Sequence, residues 1–507
     1  MLAKVACFAL NGLEGVPVEA EVDIHNGLPA FDIVGLADTA VKESRERVRS
    51  AVKNSGGKIP PKRITVNLAP ADVKKEGSSF DLAIAIGVLK ASEQLRADTD
   101  GYVLLGELSL DGSIRRVNGI LPALISAEKA GYKKFIIPKA NEREASYLAG
   151  AEVYACASLK EAAEHLSGIS PLPVSEKRSF QSAARGRQYK ADLSYVKGQA
   201  TAKRALEIAV SGGHNILFVG PPGTGKTMLA ECIPTIMPDL TFEEALECTE
   251  IHSVAGLLSD EEGIVTLRPF RSPHHTATTV SLIGGGGKFI RPGEISLAHN
   301  GVLFLDEMPE YSRAALESLR QPLENGVIVI SRAAANVTYP AKFILCGSMN
   351  PCPCGNLGSK DRVCTCTPAQ IARYRAKLSG PLLDRIDLQV EVDGVNYGEL
   401  SAKTGGETSE TVRARVNETR RVQRERFKEE GIFTNASMGE KQIGKYCRLT
   451  PDAEETLKNA YVSLRLSARA RSRIIKVART IADMAGSENI QSAHILEAAS
   501  YRRAETD

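Results

Sequence analysis

The sequence of 507 residues lacks an apolar run of membrane-spanning length, a marked excess of either charge and a framework of paired cysteines. A membrane-spanning helix needs about 20 consecutive apolar residues, so we expect no membrane partner. The formal net charge is +3, so any nucleic-acid-binding surface must be local. Residues 1–14 lack the long apolar core of a secretory signal. With ten mostly scattered cysteines, this predicts a reducing, cytoplasmic location.

The length exceeds what one hydrophobic core supports, so roughly two to four domains are expected. Residues 1–167 alternate strand-like and helical runs, which predicts an α+β domain. Residues 168–190 are rich in Ser, Pro, Gly, Arg and Gln without hydrophobic periodicity, which predicts a flexible linker. We assign residues 191–396 to an α/β ATPase core and residues 397–507 to a helical domain.

A phosphate-binding loop lies in the middle of the chain. An apolar run at 215–219 predicts a buried strand, and the next eight residues fit the pattern G-x-x-x-x-G-K-[ST]. In such a loop, backbone N–H groups converge on phosphate oxygens, the lysine adds a positive charge and the last hydroxyl binds Mg²⁺. A glycine-rich turn without a ligand is the alternative, but strand, loop and helix signals agree on ATP binding. The predicted contacts are Gly220, Pro221, Pro222, Gly223, Thr224, Gly225, Lys226 and Thr227.

A second apolar strand, at 301–305, ends in two adjacent acids and resembles a Walker B element. Asp306 is predicted to hold Mg²⁺ together with Thr227. Glu307 is predicted to polarise the water that attacks the γ-phosphate. A strand that happens to end in a solvated acidic turn is the alternative.

These two motifs resemble those of AAA+ ATPases, and the resemblance implies roles for further residues. Val196, Gly198 and Gln199 match a V-x-G-Q segment that lies beside adenine. Asn350, which follows the strand-like run 341–347, matches sensor 1, the polar residue that orients the lytic water.

Two arginine positions also match AAA+ motifs. Arg385 resembles the arginine finger of the magnesium-chelatase group, which reaches the γ-phosphate held by a neighbouring subunit. The alternative is a surface arginine paired with Asp384 or Asp387. Arg469 is the first choice for sensor 2, and Arg473 is the second.

Several runs are more specific and resemble the YifB/ComM family of magnesium-chelatase-like AAA+ ATPases over nearly the whole chain. The resemblance implies an insertion around residues 268–295 that projects toward the pore of a homo-oligomeric ring, with a hexamer favoured. Because the adjacent His274 and His275 lack a third ligand at helical spacing, a structural or pore-facing role is favoured over a metal site. The runs that carry the resemblance are 268–276, 284–288, 291–294, 317–324 and 350–355.

The N-terminal region resembles the Lon protease domain in the segments 75–82, 106–108 and 119–138. Ser79 falls where the Lon nucleophile stands. Lon-type proteolysis also needs a lysine base, and Leu121 occupies that position. We therefore expect a Lon-protease-like domain without proteolytic activity.

The one dense group of cysteines consists of Cys352, Cys354, Cys364 and Cys366. Four thiolates on a short polar loop are able to bind structural Zn²⁺ tetrahedrally. The C-x-C spacing is tighter than the usual C-x-x-C, so free thiols remain an alternative, and disulfides are a lesser one in a reducing compartment.

The C-terminal region is predicted to contain five helices, near residues 409–429, 438–446, 451–463, 467–485 and 491–502, which resemble the AAA+ lid and the chelatase C-terminal bundle. The first and fourth of these helices are rich in arginine, so a surface that binds phosphate backbone is a hypothesis, with solvated or nucleotide-facing helices as alternatives.

The family resemblance implies an ATP-driven motor that remodels single-stranded or branched DNA by branch migration during natural transformation. One alternative is a magnesium-chelatase-type motor subunit for inserting metal into a tetrapyrrole. The chain has no D-x-S-x-S motif for such machinery, and the Lon-like region is foreign to the chelatase motor. A protein unfoldase is a further alternative.

Overall fold

The computed structural model describes residues 2–185, 189–259, 261–286, 290–332, 335–359, 362–395 and 406–502. Among these residues, no helix combines the length and the apolar character needed to cross a membrane.

The N-terminal part contains nine strands and six helices. The strands are β1 Leu2–Asn11, β2 Glu14–His25, β3 Ala30–Val34, β4 Arg63–Ala69, β5 Tyr102–Leu104, β6 Glu107–Leu108, β7 Ile114–Arg115, β8 Lys134–Pro138 and β9 Glu152–Cys156. The helices are α1 Thr39–Asn54, α2 Asp81–Ala91, α3 Ile120–Lys129, α4 Glu142–Ala145, α5 Leu159–Leu166 and α6 Phe180–Ala184.

Seven of these strands form one mixed sheet in the order β3-β4-β2-β1-β5-β8-β9. Strands β1 and β2 pair antiparallel from Leu2↔Asp23 to Asn11↔Glu14, whereas β5, β8 and β9 run parallel. Buried and more exposed residues alternate along β4, as expected for a sheet covered on one face. The predicted strands at 63–68 and 134–138 are confirmed.

Helix α2 covers β1 and β2 and is buried at every position except Lys90. A helix that is apolar all round belongs inside a core. Its first residue, Asp81, is fully buried and receives hydrogen bonds from Arg47 of α1 at 2.6 and 3.0 Å. Burial raises the pKa of Asp81, and the Arg47 guanidinium opposes that rise.

The central part is built on a parallel sheet. Its strands are β10 Ile216–Val219, β11 Phe270–Arg271, β12 Gly284–Gly285, β13 Arg291–Pro292, β14 Val302–Leu305, β15 Val327–Arg332, β16 Ala335–Pro340, β17 Ile344–Met349 and β18 Leu388–Glu391. Its helices are α7 Ala200–Gly212, α8 Lys226–Glu231, α9 Ile233–Ile236, α10 Phe242–Ala255, α11 Thr279–Ile283, α12 Glu294–Leu297, α13 Arg313–Ser318, α14 Arg320–Asn325, α15 Pro368–Arg375 and α16 Gly380–Leu383.

Five of the strands pair in parallel in the order β11-β14-β17-β10-β18. Every residue of β10, β14 and β17 is buried, because helices cover both faces of a parallel sheet. These strands are therefore continuous apolar runs. Two short antiparallel hairpins, β12-β13 and β15-β16, lie outside this sheet.

All five helices predicted after residue 408 are present. The five helices are α17 Ser409–Arg426, α18 Glu440–Tyr446, α19 Pro451–Ser463, α20 Ala468–Met484 and α21 Ser492–Ser500. Helices α17 and α20 both pack against α7 of the central part, so the C-terminal helices share its hydrophobic core.

The predicted linker, residues 168–190, makes specific contacts where it is described. The backbone N–H of Ser175 donates to the Val153 carbonyl at 2.8 Å, and that of Arg178 donates to Ser146 at 3.1 Å. Farther along, the rings of Phe180 and Phe242 lie 5.9 Å apart. The segment thus follows the N-terminal part and then contacts α10 of the central part.

Helix α10 also joins the two parts directly. The N–H of Gly119, just before α3, donates to the carbonyl and hydroxyl of Ser253 at 3.1 and 3.2 Å. The Ser253 hydroxyl donates to the buried carboxylate of Glu144 at 2.9 Å. This polar contact docks α3 and α4 of the N-terminal part onto α10 of the central part.

The Arg47–Asp81 pair generates a stability prediction. Arg47→Met leaves a buried carboxylate without its partner, which typically costs about 3–5 kcal/mol. Hydrogen exchange of the α2 amides in the full-length chain should accelerate correspondingly. Arg45→Met is the control, because Arg45 is exposed and pairs with its neighbour Glu46. Equal exchange in the two variants would contradict a structural role for the buried pair.

Candidate active site

The phosphate loop begins where β10 ends and leads into α8, as predicted. Its first residue must be glycine, because a Cβ at Gly220 would lie 2.1 Å from the Val392 carbonyl oxygen. The N–H of Gly220 donates to the Met349 carbonyl at 3.2 Å, and the Thr224 hydroxyl donates to the Pro221 carbonyl at 3.0 Å. The loop is thereby fixed to the ends of the neighbouring strands.

Lys226 lies folded under this loop. Its Nζ donates to the carbonyls of Gly220 and Pro221, both at 2.7 Å, and lies 3.5 Å from Oδ1 of Asn350. Burial lowers the pKa of Lys226, and the carboxylates of Asp306 and Glu307 oppose that effect. The ammonium group is therefore placed between the phosphate loop and the acids that follow β14.

The predicted magnesium ligands meet at the same place. The Thr227 hydroxyl donates to Oδ2 of Asp306 at 3.3 Å. A hydroxyl and a carboxylate at this separation fit Mg²⁺, which prefers oxygen ligands and keeps several waters. These two residues would hold the ion, which would supply positive charge beside the phosphates.

Ser348 on β17 organises the two acids and was not predicted from the sequence. Its hydroxyl donates to Oδ1 of Asp306, and it accepts the backbone N–H of Glu307 at 3.2 Å. Glu307 adopts a left-handed conformation, with φ of 49°, and its side chain is exposed. The turn points Asp306 toward the magnesium position and leaves the Glu307 carboxylate open to solvent.

Asn350 and the V-x-G-Q segment are both placed at this site. Asn350 follows β17, beside Lys226. The Gln199 amide donates to the carbonyls of Asp393 at 2.6 Å and Thr224 at 3.3 Å, which ties this segment to the phosphate loop. Val196 is buried, and Gly198 has a φ of +59°. The adenine contact of these residues stays a prediction.

His275 lies close to Glu307, and this contact was not predicted from the sequence. Its Nδ1 lies 3.9 Å from a carboxylate oxygen of Glu307, and its ring lies 4.1 Å from that of His274. The Tyr311 hydroxyl donates to the Pro273 carbonyl at 2.5 Å and anchors the segment. The segment implied to face the ring pore, around residues 268–295, therefore reaches the Glu307 carboxylate.

Arg385 lies at the opposite edge of the sheet from the phosphate loop. Strands β10 and β18 run parallel, with Ile216 beside Leu388. Arg385 precedes β18, whereas the loop follows β10, so at least the ~10 Å length of a four-residue strand separates them. Arg385 does not pair with Asp384 or Asp387 as the alternative proposed: its guanidinium is nearly buried and contacts Glu324 and the Pro381 carbonyl.

The two sensor 2 candidates lie near Arg385. Arg473 donates to Asp387 and to the Arg385 carbonyl, whereas Arg469 is exposed. Although burial favours a protonated Asp387, Arg473 and His214 hold the pKa of that carboxyl well below its usual range. These arginines border a cleft of about 180 Å³ with mixed charge. It is lined by Glu324, Asp384, Arg385, Glu440, Arg469, Ser472, Arg473 and Lys476.

Most of the arginines on α17, on which the hypothesis of a phosphate-binding surface rests, contact acids or carbonyls within the chain. Arg415 pairs with Glu207 and Glu407 at 2.7 and 2.8 Å, and Arg426 pairs with Asp483. Others bind acids or carbonyls as well: Arg413 with Asp239, Arg420 with Val210 and Arg421 with Glu418. The sequence hypothesis of a free basic surface on this helix is therefore not supported by its contacts.

The four clustered cysteines converge just beyond Asn350. All four sulfurs lie within 4.8 Å of one another, and those of Cys352, Cys354 and Cys364 are separated by 3.4–3.6 Å. They are not disulfide-bonded. Backbone N–H groups of Asn356 and Thr365 hold the pKa of the Cys354 thiol below its usual range. The geometry suits a tetrahedral thiolate site, whose sulfurs would be about 3.8 Å apart around a Zn–S length of ~2.3 Å.

In the Lon-like segment, Ser79 and Leu121 do not form a second catalytic site. Leu121 is buried within α3, and the Ser79 carbonyl accepts the N–H of Gly106 at 2.9 Å. The neighbouring Ser78, rather than Ser79, donates its hydroxyl to Glu107.

A phosphate loop, an acidic strand end and a polar sensor on adjacent parallel strands define a nucleotide hydrolase of the AAA+ class. Three family models match the chain: "Magnesium chelatase, subunit ChlI" at residues 192–400, "Subunit ChlI of Mg-chelatase" at 20–141 and "Magnesium chelatase, subunit ChlI C-terminal" at 406–502. The chain belongs to the YifB/ComM family of magnesium-chelatase-like AAA+ ATPases.

Relatives in this family match almost from end to end. Competence protein ComM of Haemophilus influenzae is 45% identical over 508 residues, covering 99% of this chain and 97% of the relative. The protein YifB of Escherichia coli is 46% identical over 504 residues, with the same coverage. A partial match, Lon protease 2 of Bacillus subtilis, is 29% identical over 191 residues, covering 35% of this chain and 34% of the relative.

The positions of Lys226 and Glu307 predict different kinetic defects. Lys226→Ala removes a charge that contacts phosphate in the ground state, so nucleotide affinity should fall about 10- to 100-fold. Glu307→Gln keeps that charge and removes the group facing water, so binding should persist while turnover falls at least ~100-fold. Binding of a fluorescent ATP analogue and steady-state hydrolysis separate these effects. An equal loss of affinity in both variants would contradict the role of Glu307.

Proposed function

We propose that this protein is an ATP-driven, ring-forming motor that remodels DNA, and specifically a branch-migration helicase that acts on recombining strands during natural transformation. The proposal has two parts. ATP hydrolysis is assigned to the residues around Lys226 and Glu307. DNA binding is assigned to the segment around residues 268–295, which is proposed to face the pore and whose His275 lies beside Glu307.

The observation that carries the DNA assignment is that residues 268–293 contain no Asp or Glu. Two of the arginines of this segment, Arg268 and Arg271, pair with Glu244 and Glu294, so its other polar groups carry the assignment. Side chains from Ser272 to Val280 alternate between exposed and half-buried, which presents hydroxyl and imidazole groups to solvent. A segment without carboxylates of its own and with hydroxyl donors suits a phosphate backbone.

The same segment offers a route from DNA to hydrolysis. His275 lies 3.9 Å from Glu307, so movement of the segment would change the surroundings of the hydrolytic carboxylate. A motor needs such a connection, because polymer binding must alter the rate of ATP turnover. The end-to-end similarity to a relative named as a competence protein favours DNA uptake and recombination as the setting.

The proposal predicts that DNA accelerates ATP hydrolysis. ATPase rates should rise with single-stranded DNA and most with branched DNA, and the rise should shrink with increasing salt because phosphate contacts release counterions. His274→Ala, an exposed change in the segment, should weaken this stimulation, whereas basal turnover should persist. The control Lys160→Ala, at an exposed position on α5, should behave like the wild type. An ATPase unaffected by every DNA would contradict the proposal.

A magnesium-chelatase-type motor subunit is the second candidate, favoured by the names of the matching family models. It predicts stimulation by a tetrapyrrole-metalating partner and none by DNA. A protein unfoldase predicts stimulation by an unfolded polypeptide instead. The same ATPase measurement with each of the three additives separates the candidates.

We further propose a homo-oligomeric ring, with a hexamer favoured, because Arg385 and the phosphate loop lie at opposite edges of the sheet in one subunit. A head-to-tail contact would bring the Arg385 edge of one subunit to the loop of the next, and such contacts close into rings. Arg385 would exchange Glu324 for the γ-phosphate of its neighbour, and Arg469 would lie at the same interface.

Mixing two inactive variants tests this arrangement. Arg385→Ala and Lys226→Ala should each lack turnover, and mixed rings should regain part of it, because some interfaces combine an intact loop with an intact arginine. Lys226→Ala mixed with Glu307→Gln is the control and should stay inactive, since both defects affect the loop side. No recovery in rings shown by mass to contain both subunits would contradict a trans-acting Arg385.

Four narrower proposals complete the assignment. Residues 1–167 form a Lon-protease-like domain without proteolytic activity, since Leu121 stands in place of a lysine base. Residues 397–507 form the helical lid. The four clustered cysteines hold structural Zn²⁺, supported by their sulfur separations. The protein acts in the cytoplasm, where thiolates stay reduced.

A further inference from the structure

We propose that the metal site formed by Cys352, Cys354, Cys364 and Cys366 controls ATP turnover, because the metal fixes sensor 1 and the phosphate loop in their working positions. The inference rests on the proposed Zn²⁺ site and on ATP hydrolysis, but not on DNA as the substrate. It assigns the cysteine loop a role in catalysis rather than in local stability alone.

The first observation is how close the metal ligands are to sensor 1. Asn350 and Cys352 are separated by Pro351 alone, and both Pro351 and Cys352 are buried. Oδ1 of Asn350 lies 3.5 Å from the ammonium group of Lys226. A displacement of the Cys352 backbone would therefore move Asn350 relative to the phosphate position.

The second observation is a direct contact between the cysteine loop and the phosphate loop. A turn closed by the Gly355 N–H and the Cys352 carbonyl, 3.0 Å apart, joins the first two cysteines. This turn packs so tightly on Pro222 that a Cβ at Gly355 would lie 2.7 Å from the proline Cδ. Gly355 also has a φ of +79°, which favours glycine. The turn that carries two metal ligands thus supports the phosphate loop from outside.

The third observation concerns what else holds this segment. Among the described residues from 351 to 367, only Pro351, Cys352 and Gly355 are buried, and Val363 is 86% exposed. Two N–H groups also point to the sulfurs, from Leu357 to Cys352 and from Cys354 to Cys366, both at 3.4 Å. Such donors are typical around metal thiolates. With little apolar burial, a metal cross-link is the main available source of rigidity.

These observations combine into one consequence. With the metal bound, the turn from Cys352 to Gly355 is rigid and packs on Pro222. Asn350, two residues before Cys352, is then fixed in position as well. Without the metal, no strong interaction holds the four thiols of this polar loop together. The contact of Gly355 with Pro222 and that of Asn350 with Lys226 then become looser. Misplacement of a catalytic group by about 1 Å costs on the order of 100-fold in rate, so turnover should depend on the metal.

The test compares three substitutions in the full-length chain. Cys364→Ser removes a ligand that lies outside the turn and does not contact the phosphate loop through Gly355. Cys364→His retains a metal-binding side chain. Val363→Ser changes the adjacent, exposed residue and serves as the control. Four quantities are measured: metal per chain by elemental analysis, secondary structure by circular dichroism, basal ATP turnover without DNA, and hydrogen exchange of the amides at 223–227 and 350–355.

The expected result is about one zinc per wild-type chain. Cys364→Ser should lose the metal, exchange faster at both sets of amides and turn over ATP about 10- to 100-fold more slowly with unchanged circular dichroism. Cys364→His and Val363→Ser should retain metal, protection and turnover. If Cys364→Ser does not fold, the metal is stripped from the wild-type protein with a mercurial and a chelator, then restored with Zn²⁺ after thiol reduction, and turnover should fall and return.

Each other outcome overturns the proposal in a distinguishable way. Wild-type chains without metal would remove the zinc site itself and leave the ATPase assignment untouched. Loss of metal with unchanged turnover and exchange would keep the zinc site and reject its control of catalysis. Slow turnover in Cys364→His with metal bound would show that the substitution, rather than the metal, caused the defect.

Discussion

The common direction of five parallel strands is the constraint on which the rest of the nucleotide site depends. Because β10, β14 and β17 run the same way, the residues that follow them meet at one edge of the sheet. Lys226, Asp306 and Asn350 come from three distant parts of the sequence and reach each other for this reason. The same direction places Arg385, which precedes β18, at the other edge. A single subunit therefore separates Arg385 from the phosphate loop, and the proposed ring would bring them together.

Contacts at the loop edge organise the nucleotide site and connect it to two other regions. Ser348 fixes the turn of the Walker B acids, and His275 brings the carboxylate-free segment beside Glu307. Gly355 joins the cysteine loop to Pro222. The N-terminal sheet attaches elsewhere, through Ser253 on α10. The segment and the cysteine loop thus lie directly beside the predicted catalytic groups, whereas the N-terminal part contacts the central part at α10 and at β16, where Gly12 lies against Val337.

The sequence predicted the features that depend on local pattern. Buried parallel strands are apolar runs, and functional side chains follow them, so β10, β14 and β17 with Lys226, Glu307 and Asn350 were recognisable. The five C-terminal helices were recognisable from their periodicity. Features that depend on which strands and loops become neighbours were not. Ser348 is one hydroxyl within an apolar strand, and its role appears only once β17 pairs with β14.

Long-range pairing also explains what local reasoning misjudged. The arginines of α17 suggested a phosphate surface, but acids such as Glu207 and Asp483, far away in sequence, lie against them. The positions of the arginines along one helix do not reveal partners that lie elsewhere in the sequence. The segment 168–190 has the composition of a linker, yet Ser175 and Arg178 bond to backbone of the N-terminal part. Backbone hydrogen bonds of this kind leave no signature in composition.

The central claim is that each nucleotide site is completed by the neighbouring subunit. The most direct measurement is an electron cryomicroscopy reconstruction of the assembled protein with Mg²⁺ and a non-hydrolysable ATP analogue. The account predicts a closed ring in which the Arg385 guanidinium has left Glu324 and contacts the γ-phosphate bound by Lys226 of the next subunit. A ring in which Arg385 stays paired with Glu324 of its own chain, with a different group on the γ-phosphate, would contradict it.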